Sequence, residues 1–320
     1  MVDVGGEYEP ERHRYDHHQR TFDTTLPSYQ TKLSSAGLVW KHFGRDVVQY
    51  RTGLAAGSPD VELVYDKVYR DFIEAVDAND NGISAYDPAA DLPPKRFNDH
   101  GFTLASLVND LNYDFSPDDA HPPAAAAQDP DPAKKVVEET AIDLSPEQVQ
   151  AAEDGRFAQA SQLMGTTFLR KLHHAASSWL PARAQVGRAY ANRHEVDPSG
   201  KIVVFESGGI PWKEHLYNFE KEVAKQRGLE QPGEEQQIYY VLYPEKPTEG
   251  SKWRVQAVSV NKESFSSRKA LKEDWRGVRD QELSAKTGIP GCVFCHASGF
   301  IGGNESRQGA LEMARQSLAA

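Results

Sequence analysis

The sequence predicts a two-domain α/β protein. At 320 residues the chain is longer than one ordinary hydrophobic core requires, and short apolar runs of strand type alternate with segments of helical periodicity. A stretch rich in Pro, Ala and Asp at residues 116–134 interrupts the pattern and predicts a flexible insertion. We place the domain boundary after residue 180, with a mainly parallel sheet in residues 1–180 and a smaller, mixed or antiparallel sheet in residues 181–320.

The N-terminal domain begins with two predicted strands and two predicted helices. Val2-Asp3-Val4 ends a short apolar run at a Gly-Gly turn, and residues 15–19 close a second run of this kind. Apolar side chains at helical spacing predict a helix over residues 32–43 and a stronger one over residues 61–76, which Gly82 ends. In an α/β sheet, polar residues at the ends of such strands lie where ligands bind.

A further helix is predicted to begin at Ser145-Pro146, because proline suits the first turn and acidic residues suit the helix dipole. It continues with breaks to Trp179, and Leu180-Pro181-Ala182-Arg183 marks the domain boundary. Beyond it, β-branched and aromatic runs predict four strands, and apolar spacing predicts two helices. The strands span residues 201–206, 237–243, 253–260 and 292–296, and the helices span residues 213–226 and 310–318.

The composition excludes several classes of protein. No apolar run approaches the roughly 20 residues that cross a bilayer, and no signal-like segment is present, so we expect neither a membrane partner nor secretion. Two cysteines are too few for a disulfide scaffold. The net charge of −11 is uneven: residues 1–180 carry 16 Lys and Arg against 29 Asp and Glu, whereas residues 181–320 carry 20 against 18. An anionic partner is therefore more plausible in the second half.

Three acidic or imidazole clusters stand at the ends of regular elements in the first half. Asp16-His17-His18 sets a carboxylate beside two imidazoles, Asp3 precedes the Gly-Gly turn, and Asp77 ends a helix. Carboxylates and imidazoles together suit a divalent ion such as Mn²⁺ or Zn²⁺. An isolated Asp-His-His triplet is commonly a solvated surface feature, but the neighbouring carboxylates favour a shared metal site.

Several blocks of the sequence are long enough to be specific for a protein family. They include Asp3-Val4-Gly5-Gly6-Glu7-Tyr8, Tyr15-Asp16-His17-His18-Gln19, Phe72-Ile73-Glu74-Ala75-Val76-Asp77, Trp179-Leu180-Pro181-Ala182-Arg183, Pro211-Trp212-Lys213-Glu214-His215, Gly288-Ile289-Pro290-Gly291-Cys292 and His296-Ala297-Ser298-Gly299-Phe300-Ile301-Gly302-Gly303-Asn304. In these blocks the chain resembles the melanocyte-proliferating-gene (MYG-type) exonuclease family of the DHH phosphoesterase superfamily. The resemblance covers nearly the whole chain apart from residues 84–140.

The resemblance implies a two-domain DHH-type enzyme with a dimetal centre, in which Mn²⁺, or alternatively Mg²⁺, is the cofactor. Asp3 would bridge two metal ions, and His17 and Asp77 would complete the shell of one of them. Asp16 would bind a metal ion or orient the residues that bind it, and His18 would face the scissile phosphate, so these two are the catalytic candidates. Asp80 is a weaker candidate, whose alternative role is to cap the turn before Gly82.

One departure from the family pattern affects this expectation. Members begin with a strand and a His/Asp-rich motif of the type His-Asn-Gly-Thr-Phe-His-Cys-Asp-Glu, well before the segment that contains Asp3, and nothing in this sequence matches it. That motif supplies much of the other metal's shell. We therefore expect an N-terminally truncated catalytic domain that holds one metal, or two weakly, with impaired activity.

The second half contains a candidate anion site in residues 296–304, where small residues let backbone N–H groups approach a ligand near a helix N-terminus. By resemblance this is the substrate-binding lobe, which would hold RNA or an oligonucleotide. The alternative is an ordinary glycine turn beside a solvated basic face. The substrate-binding candidates are His296, Ser298, Gly302, Gly303, Arg268 and Arg276.

Cys292-Val293-Phe294-Cys295-His296 also matches the Cys-x-x-Cys-His pattern of c-type haem attachment. We expect no haem, since no export signal is present and the segment alternates like a buried strand. A zinc site would need a second pair of ligands at the usual spacing, which the sequence does not offer. Buried, inert thiols are the expected outcome.

These features lead to three functional hypotheses. The first is a metal-dependent phosphodiester hydrolase that degrades RNA from the 3′ end, with the substrate and polarity taken from the resemblance alone. The second is a phosphoesterase for short oligonucleotides or small molecules, and the third is a non-catalytic RNA-binding or scaffold protein. The family resemblance also implies a location in the nucleus, the mitochondrion or both, although a transit segment is not present in this chain.

Overall fold

A computed structural model describes residues 1–86, 100–113 and 145–320 of the chain. The predicted insertion at residues 116–134 lies outside these ranges. The chain divides into two compact units, residues 1–173 and residues 174–320, whereas our predicted boundary after residue 180 remains a prediction. Across the described ranges, no helix is both long enough and apolar enough to span a bilayer.

The first unit is mainly helical. Its strands are β1 (Tyr8–Glu9) and β2 (Arg14–Tyr15), and its helices are α1 (Ser35–Thr52), α2 (Pro59–Val68), α3 (Glu74–Asp80), α4 (Leu104–Asp110) and α5 (Pro146–His174). α1 begins where the Ser34 hydroxyl accepts hydrogen bonds from the N–H groups of Ala36 and Gly37, and it ends at Gly53, whose φ of +74° suits glycine.

The predicted helix over residues 61–76 is confirmed as a helical run that contains a widened turn. α2 and α3 are joined by a π-helical segment, Tyr69–Ile73. Its apolar residues pack into the core of the unit: Val64 and Tyr69 have no exposed surface, and the ring of Tyr65 stacks on Trp40 with a centroid distance of 5.1 Å. Phe168 of α5 contacts the same Trp40 ring edge-on at 5.7 Å, so aromatic packing joins three helices.

The predicted mainly parallel sheet of the first domain is wrong for the residues that the structure describes. Those residues form a two-stranded antiparallel sheet, β1–β2, and a single parallel bridge between Val2 and Tyr15. The predicted strand at Val2-Asp3-Val4 does not extend because Asp3 adopts a left-handed backbone with φ +60°. The helices, rather than a sheet, therefore provide most of this unit's core.

The second unit contains a five-stranded mixed sheet. Its elements are α6 (Leu180–Ala191), α7 (Arg193–Val196), β3 (Ile202–Val204), α8 (Trp212–Gln226), β4 (Tyr240–Pro244), β5 (Trp253–Ala257), α9 (Asp280–Thr287), β6 (Cys292–Cys295), β7 (Ile301–Asn304) and α10 (Arg307–Ala319). The strand order is β3-β4-β5-β7-β6, in which β3 is parallel to β4 and the other neighbours are antiparallel. The predicted mixed sheet and both predicted helices of this half are confirmed.

Alternation along the strands divides the side chains of this sheet between two cores. On β4, Tyr240 and Leu242 pack into the core that contains Met313 of α10. Val241, between them in sequence, packs into the opposite core with Leu216 of α8. The sheet is therefore covered by helices on both faces.

Four elements of the second unit were missed from sequence: α6, α7, α9 and β7. α6 begins in the Leu180-Pro181-Ala182-Arg183 segment, which we interpreted as the domain boundary. α9 has few apolar residues, so its pattern is weak. β7 contains Gly302 and Gly303, and because glycine is unfavourable in strands, the sequence did not predict a strand there. A Cβ at Gly302 would lie 2.9 Å from Leu271 and 3.0 Å from Met313, so glycine is needed there for close packing rather than for a turn.

A widened turn also precedes α6. Residues Ala175–Trp179 form a second π-helical segment that joins α5 to α6. The carbonyl oxygen of Trp179 lies 2.7 Å from Nε2 of His215 on α8, and the two rings pack with centroids 4.5 Å apart. This contact is fully buried and fastens α8 to the start of α6.

A buried ion pair joins α8 to the loop that follows β5. The guanidinium of Arg268 donates to both carboxylate oxygens of Glu220, at 2.7 and 2.8 Å, and to the carbonyl oxygen of Ile238 at 2.9 Å. The side chains are 9% and 1% exposed, so each charge depends on the other for compensation.

We predict that Arg268→Met lowers the free energy of unfolding by roughly 3–5 kcal/mol, because it leaves the Glu220 carboxylate buried and uncompensated. The matched control is Arg183→Met on α6, whose partner Glu222 is half-exposed, and it should cost about 1 kcal/mol. Urea unfolding followed by tryptophan fluorescence measures both. Equal losses in the two variants would contradict the assignment of a special role to the buried pair.

Candidate metal centre

Residues 1–3 run beside Tyr15, and this brings Asp3 close to the Asp16-His17-His18 motif. The Tyr15 N–H donates to the carbonyl oxygen of Met1 at 3.0 Å, and the Asp3 N–H donates to the carbonyl oxygen of Tyr15 at 3.1 Å. Asp3 then adopts its left-handed conformation and is followed by Gly5 and Gly6, both with positive φ. Such backbone strain in a non-glycine residue is frequently found at functional sites.

The carboxylate of Asp16 organises the motif. One oxygen accepts from the Gly6 N–H at 2.7 Å, and the other accepts from the His18 N–H at 3.1 Å and lies 2.6 Å from His18 Nδ1. Burial alone would raise the pKa of Asp16, but the hydrogen bonds from His18 and Gly6 lower it to about 2. Asp16 is therefore an anion that ties the glycine turn to His18.

Asp3, His17 and His18 form the candidate metal cluster. Each offers one ligand atom, and these atoms all lie within 4.8 Å of one another. His17 is buried whereas the other two are exposed, so the cluster opens to solvent on one side. Asp80 at the end of α3 adds a carboxylate oxygen 3.5 Å from His17 Nε2.

The donor set fits a divalent metal ion. Two imidazoles and a carboxylate are ligands for ions of the first transition series. Asp80 lies beside His17 but outside this group of mutually close donors. His17 Nδ1 is buried and has no hydrogen-bond partner among the described residues, which is unusual for a polar atom in a folded interior. His18 Nδ1 is held by Asp16, which leaves its Nε2 for a ligand.

Three hydrogen bonds hold the buried carboxylate of Asp77. Its carboxylate accepts from the Ser34 N–H at 3.0 Å, from the Ser34 hydroxyl at 2.7 Å and from the Tyr69 hydroxyl at 3.1 Å. Burial raises the pKa of Asp77, and these hydrogen bonds act in the opposite direction. Neither Asp77 nor Asp16 belongs to the described group of mutually close metal donors, so their predicted ligand roles stay predictions.

Three of the predicted substrate-binding residues lie around one turn of the second unit. His296 and Ser298 are exposed, and His296 Nδ1 is 3.0 Å from the Ser298 hydroxyl. Nε of Arg276 donates to the Leu271 carbonyl oxygen at 3.0 Å. A Cβ at Gly299 would lie 2.7 Å from the same Nε, so Gly299, with φ +70°, lets the guanidinium lie against the turn.

The other three predicted substrate residues have structural roles inside the second unit. Gly302 and Gly303 are buried in β7 between β5 and β6, so the predicted loop of open backbone N–H groups at these positions is wrong. A Cβ at Gly303 would lie 2.6 Å from the Arg254 guanidinium, which packs on the Phe294 ring. Arg268 is committed to Glu220 and is not available as a surface cation.

Cys292 and Cys295 are buried thiols, as predicted. Burial raises the pKa of Cys295 to about 11, which makes the thiol unreactive at neutral pH. The sulfur of Cys292 instead packs against the Thr287 hydroxyl at 3.5 Å and the Ile289 carbonyl oxygen at 3.4 Å.

Comparison with known proteins places these features in a family. A model for "Uncharacterised protein family (UPF0160)" matches residues 1–318. Proteins named MYG1 exonuclease from Rattus norvegicus and Homo sapiens are both 42% identical to this chain, and the matches cover 100% of it and 73% and 74% of the relatives. A MYG1 protein of Saccharomyces cerevisiae is 39% identical, covering 100% of this chain and 82% of its own length. No solved structure matches.

The contact between α1 and Asp77 yields a prediction. A Cβ on Gly37 would lie 2.3 Å from the Asp77 carboxylate, so Gly37→Ala should destabilise the protein by roughly 1–3 kcal/mol through overpacking. Gly165→Ala on α5, where a Cβ meets nothing within 4 Å, should instead stabilise by roughly 0.5–1 kcal/mol. Thermal unfolding of both variants measures the difference, and stabilisation by Gly37→Ala would contradict the described packing.

Proposed function

Because the chain belongs to the MYG1 exonuclease family, we propose that it is a metal-dependent hydrolase of phosphodiester bonds. The observation that carries the proposal is the cluster of Asp3, His17 and His18, whose ligand atoms lie within 4.8 Å of one another. Relatives named exonucleases support a nucleic-acid substrate, and a cluster open to solvent on one side suits a large one.

Each residue of the cluster has a distinct proposed task. His17 is buried and supplies a ligand from the protein interior, while Asp3 and His18 bind from the exposed side. A bound divalent ion would lower the pKa of a water ligand and polarise the phosphoryl oxygen. Asp80, beside His17, would complete the ligand set.

Asp16 acts in this proposal as a positioning residue. Its carboxylate accepts from His18 Nδ1, which fixes the tautomer that directs Nε2 away from Asp16. The hydrogen bond from His18 to Asp16 also raises the pKa of His18. The Asp16 carboxylate also accepts from the Gly6 N–H, which holds the chain just beyond Asp3 at a fixed distance from the two histidines.

The finer assignments follow the family resemblance. We propose an RNA substrate, cleavage from the 3′ end, Mn²⁺ as the preferred ion, and kinship with the DHH phosphoesterases. In that scheme residues 1–180 form the catalytic domain, and residues 181–320 bind the substrate through the exposed turn with His296 and Ser298 and through Arg276. The same resemblance supports a nuclear or mitochondrial location.

We predict that His17→Ala lowers the rate of RNA degradation in Mn²⁺ by more than roughly a hundredfold, because residues that only orient a metal ligand are already worth about tenfold to a hundredfold. His174→Ala is the matched control, because it removes an exposed histidine outside the cluster. Release of nucleotides from end-labelled RNA measures the rate, with and without chelator. Full activity of His17→Ala, or of the wild type in chelator, would contradict the metal centre.

The same purified protein can be used to test which substrates are cleaved and from which end of the RNA cleavage begins. RNA labelled at either end should lose nucleotides from the 3′ end, and a ribonucleotide dimer should be cleaved more slowly than a longer strand. Faster cleavage of the dimer would favour a phosphoesterase for short substrates. Metal-independent binding of RNA with no turnover on either substrate would favour a non-catalytic role.

Asp16→Asn should weaken Mn²⁺ binding by roughly tenfold to a hundredfold, because the amide no longer holds His18 by a charged hydrogen bond. Loss of the free-ion signal in electron paramagnetic resonance measures binding directly, without reference to activity. Asp60→Asn, at an exposed site on α2, is the matched control. Unchanged Mn²⁺ affinity in Asp16→Asn would overturn the positioning role.

A further inference from the structure

A second cluster of charged side chains surrounds a cavity in the second unit, outside the metal cluster and outside the turn that contains His296. The cavity has a volume of about 350 Å³, which lies at the lower end of the range for small-ligand pockets. It is found where α7 leads into β3. Its charged lining comes from Arg193, His194, Lys201, Arg227, Glu234 and Glu235.

Arg193 is the unusual member. The residue is only 8% exposed, yet no carboxylate among the described residues lies within ion-pair distance of its guanidinium. One nitrogen, Nη1, donates to the Tyr190 carbonyl oxygen at 2.7 Å, and the guanidinium lies 4.2 Å from the centroid of the Tyr190 ring. Nε is buried and has no hydrogen-bond partner in the described structure.

A buried guanidinium without an anion is costly, because arginine stays charged and the interior does not replace its hydration. Arg268 provides the contrast within the same unit. It is buried to a similar extent, but its guanidinium binds both oxygens of Glu220. Arg193 has the same need and lacks such a partner.

The carboxylates that line the cavity have partners other than Arg193. Glu235 pairs with Arg227 at 3.1 Å, and the carboxylate of Glu234 accepts from the Tyr239 hydroxyl at 3.1 Å. The ammonium of Lys201 donates to the backbone carbonyl of Glu234 rather than to a carboxylate. Burial lowers the pKa of Lys201, the nearby charges of Glu234, Glu220 and Glu235 raise it, and the charge of Arg193 lowers it. Three cations, Arg193, Lys201 and Arg227, line the cavity against the two carboxylates, so its lining carries one net positive charge.

We propose that this cavity binds the phosphate dianion of a small molecule, either free phosphate or a nucleoside monophosphate. Arg193 donates from the buried wall, and Lys201 donates from the mouth. Two N–H donors of the planar guanidinium match the spacing of two oxygens of one phosphate group. A water molecule or a halide ion offers only one acceptor atom. Gly200 shapes the wall, because a Cβ there would lie 2.3 Å from the His194 ring. This site goes beyond the proposed hydrolysis and does not depend on it.

Isothermal titration calorimetry on the full chain in chelator tests the site with three probes: inorganic phosphate, adenosine 5′-monophosphate and adenosine. Phosphate and the monophosphate should bind at one site per chain, and adenosine should not. Lys201→Gln and Arg193→Gln should each weaken binding roughly tenfold or more, since each removes a charged hydrogen bond. Tighter binding of the monophosphate than of phosphate would identify a mononucleotide as the ligand, and equal affinities would identify the phosphate group alone.

Two controls separate this site from other charges. Arg183→Gln removes a half-buried arginine of the same unit that lies outside the cavity lining, and Asp3→Asn alters the candidate metal cluster; both should leave phosphate binding unchanged. Lys201→Gln keeps the test valid if Arg193→Gln fails to fold, which thermal unfolding without ligand would reveal. The proposal is overturned if the wild type shows no saturable phosphate binding, if Lys201→Gln binds as tightly as the wild type, or if adenosine binds as well as its monophosphate.

Discussion

The candidate metal centre depends on the carboxylate of Asp16, which is 2% exposed and accepts three hydrogen bonds from the residues around it. A carboxylate in that position would be unfavourable without its donors, and a hydrogen bond to a charged group contributes roughly 1.5–3 kcal/mol. Through these bonds one anion fixes both Gly6, just after Asp3, and His18. The positions of the two exposed candidate ligands, Asp3 and His18, are thus set by a buried charge.

A second buried carboxylate, Asp77, supports the same unit in another way. It accepts from the backbone and hydroxyl of Ser34 at the start of α1 and from Tyr69, so that it joins two helices at their ends. α3 continues from Asp77 to Asp80, whose carboxylate lies beside His17. The position of the Asp80 carboxylate therefore depends on the anchoring of the helix by Asp77.

The sequence was sufficient to predict features in which chemistry and local pattern coincide. His17 and His18 are adjacent in sequence and Asp3 precedes a glycine turn, so sequence reasoning selected the three side chains that the structure brings together, whereas the metal itself stays a prediction. The role of Asp77 could not be predicted in this way, because its partner Ser34 lies 43 residues away and appears locally as an ordinary helix cap. Gly302 and Gly303 suggested an open loop, and only the flanking strands show why glycine is needed there. Arg268 and Arg193 look alike in sequence, and their difference depends on whether a glutamate from another element faces them.

The widened turn at Tyr69–Ile73 has a consequence for which side chains can meet. Along a regular α-helix, residues eight apart point about 80° away from each other, too far to share a contact. A turn closed by an i→i+5 bond absorbs one additional residue, which reduces the divergence of Tyr69 and Asp77 to about 20°. The hydroxyl of Tyr69 can therefore reach Asp77 along one helical run. The one added residue in this turn thus rotates the helix so that residues before and after it lie on the same face.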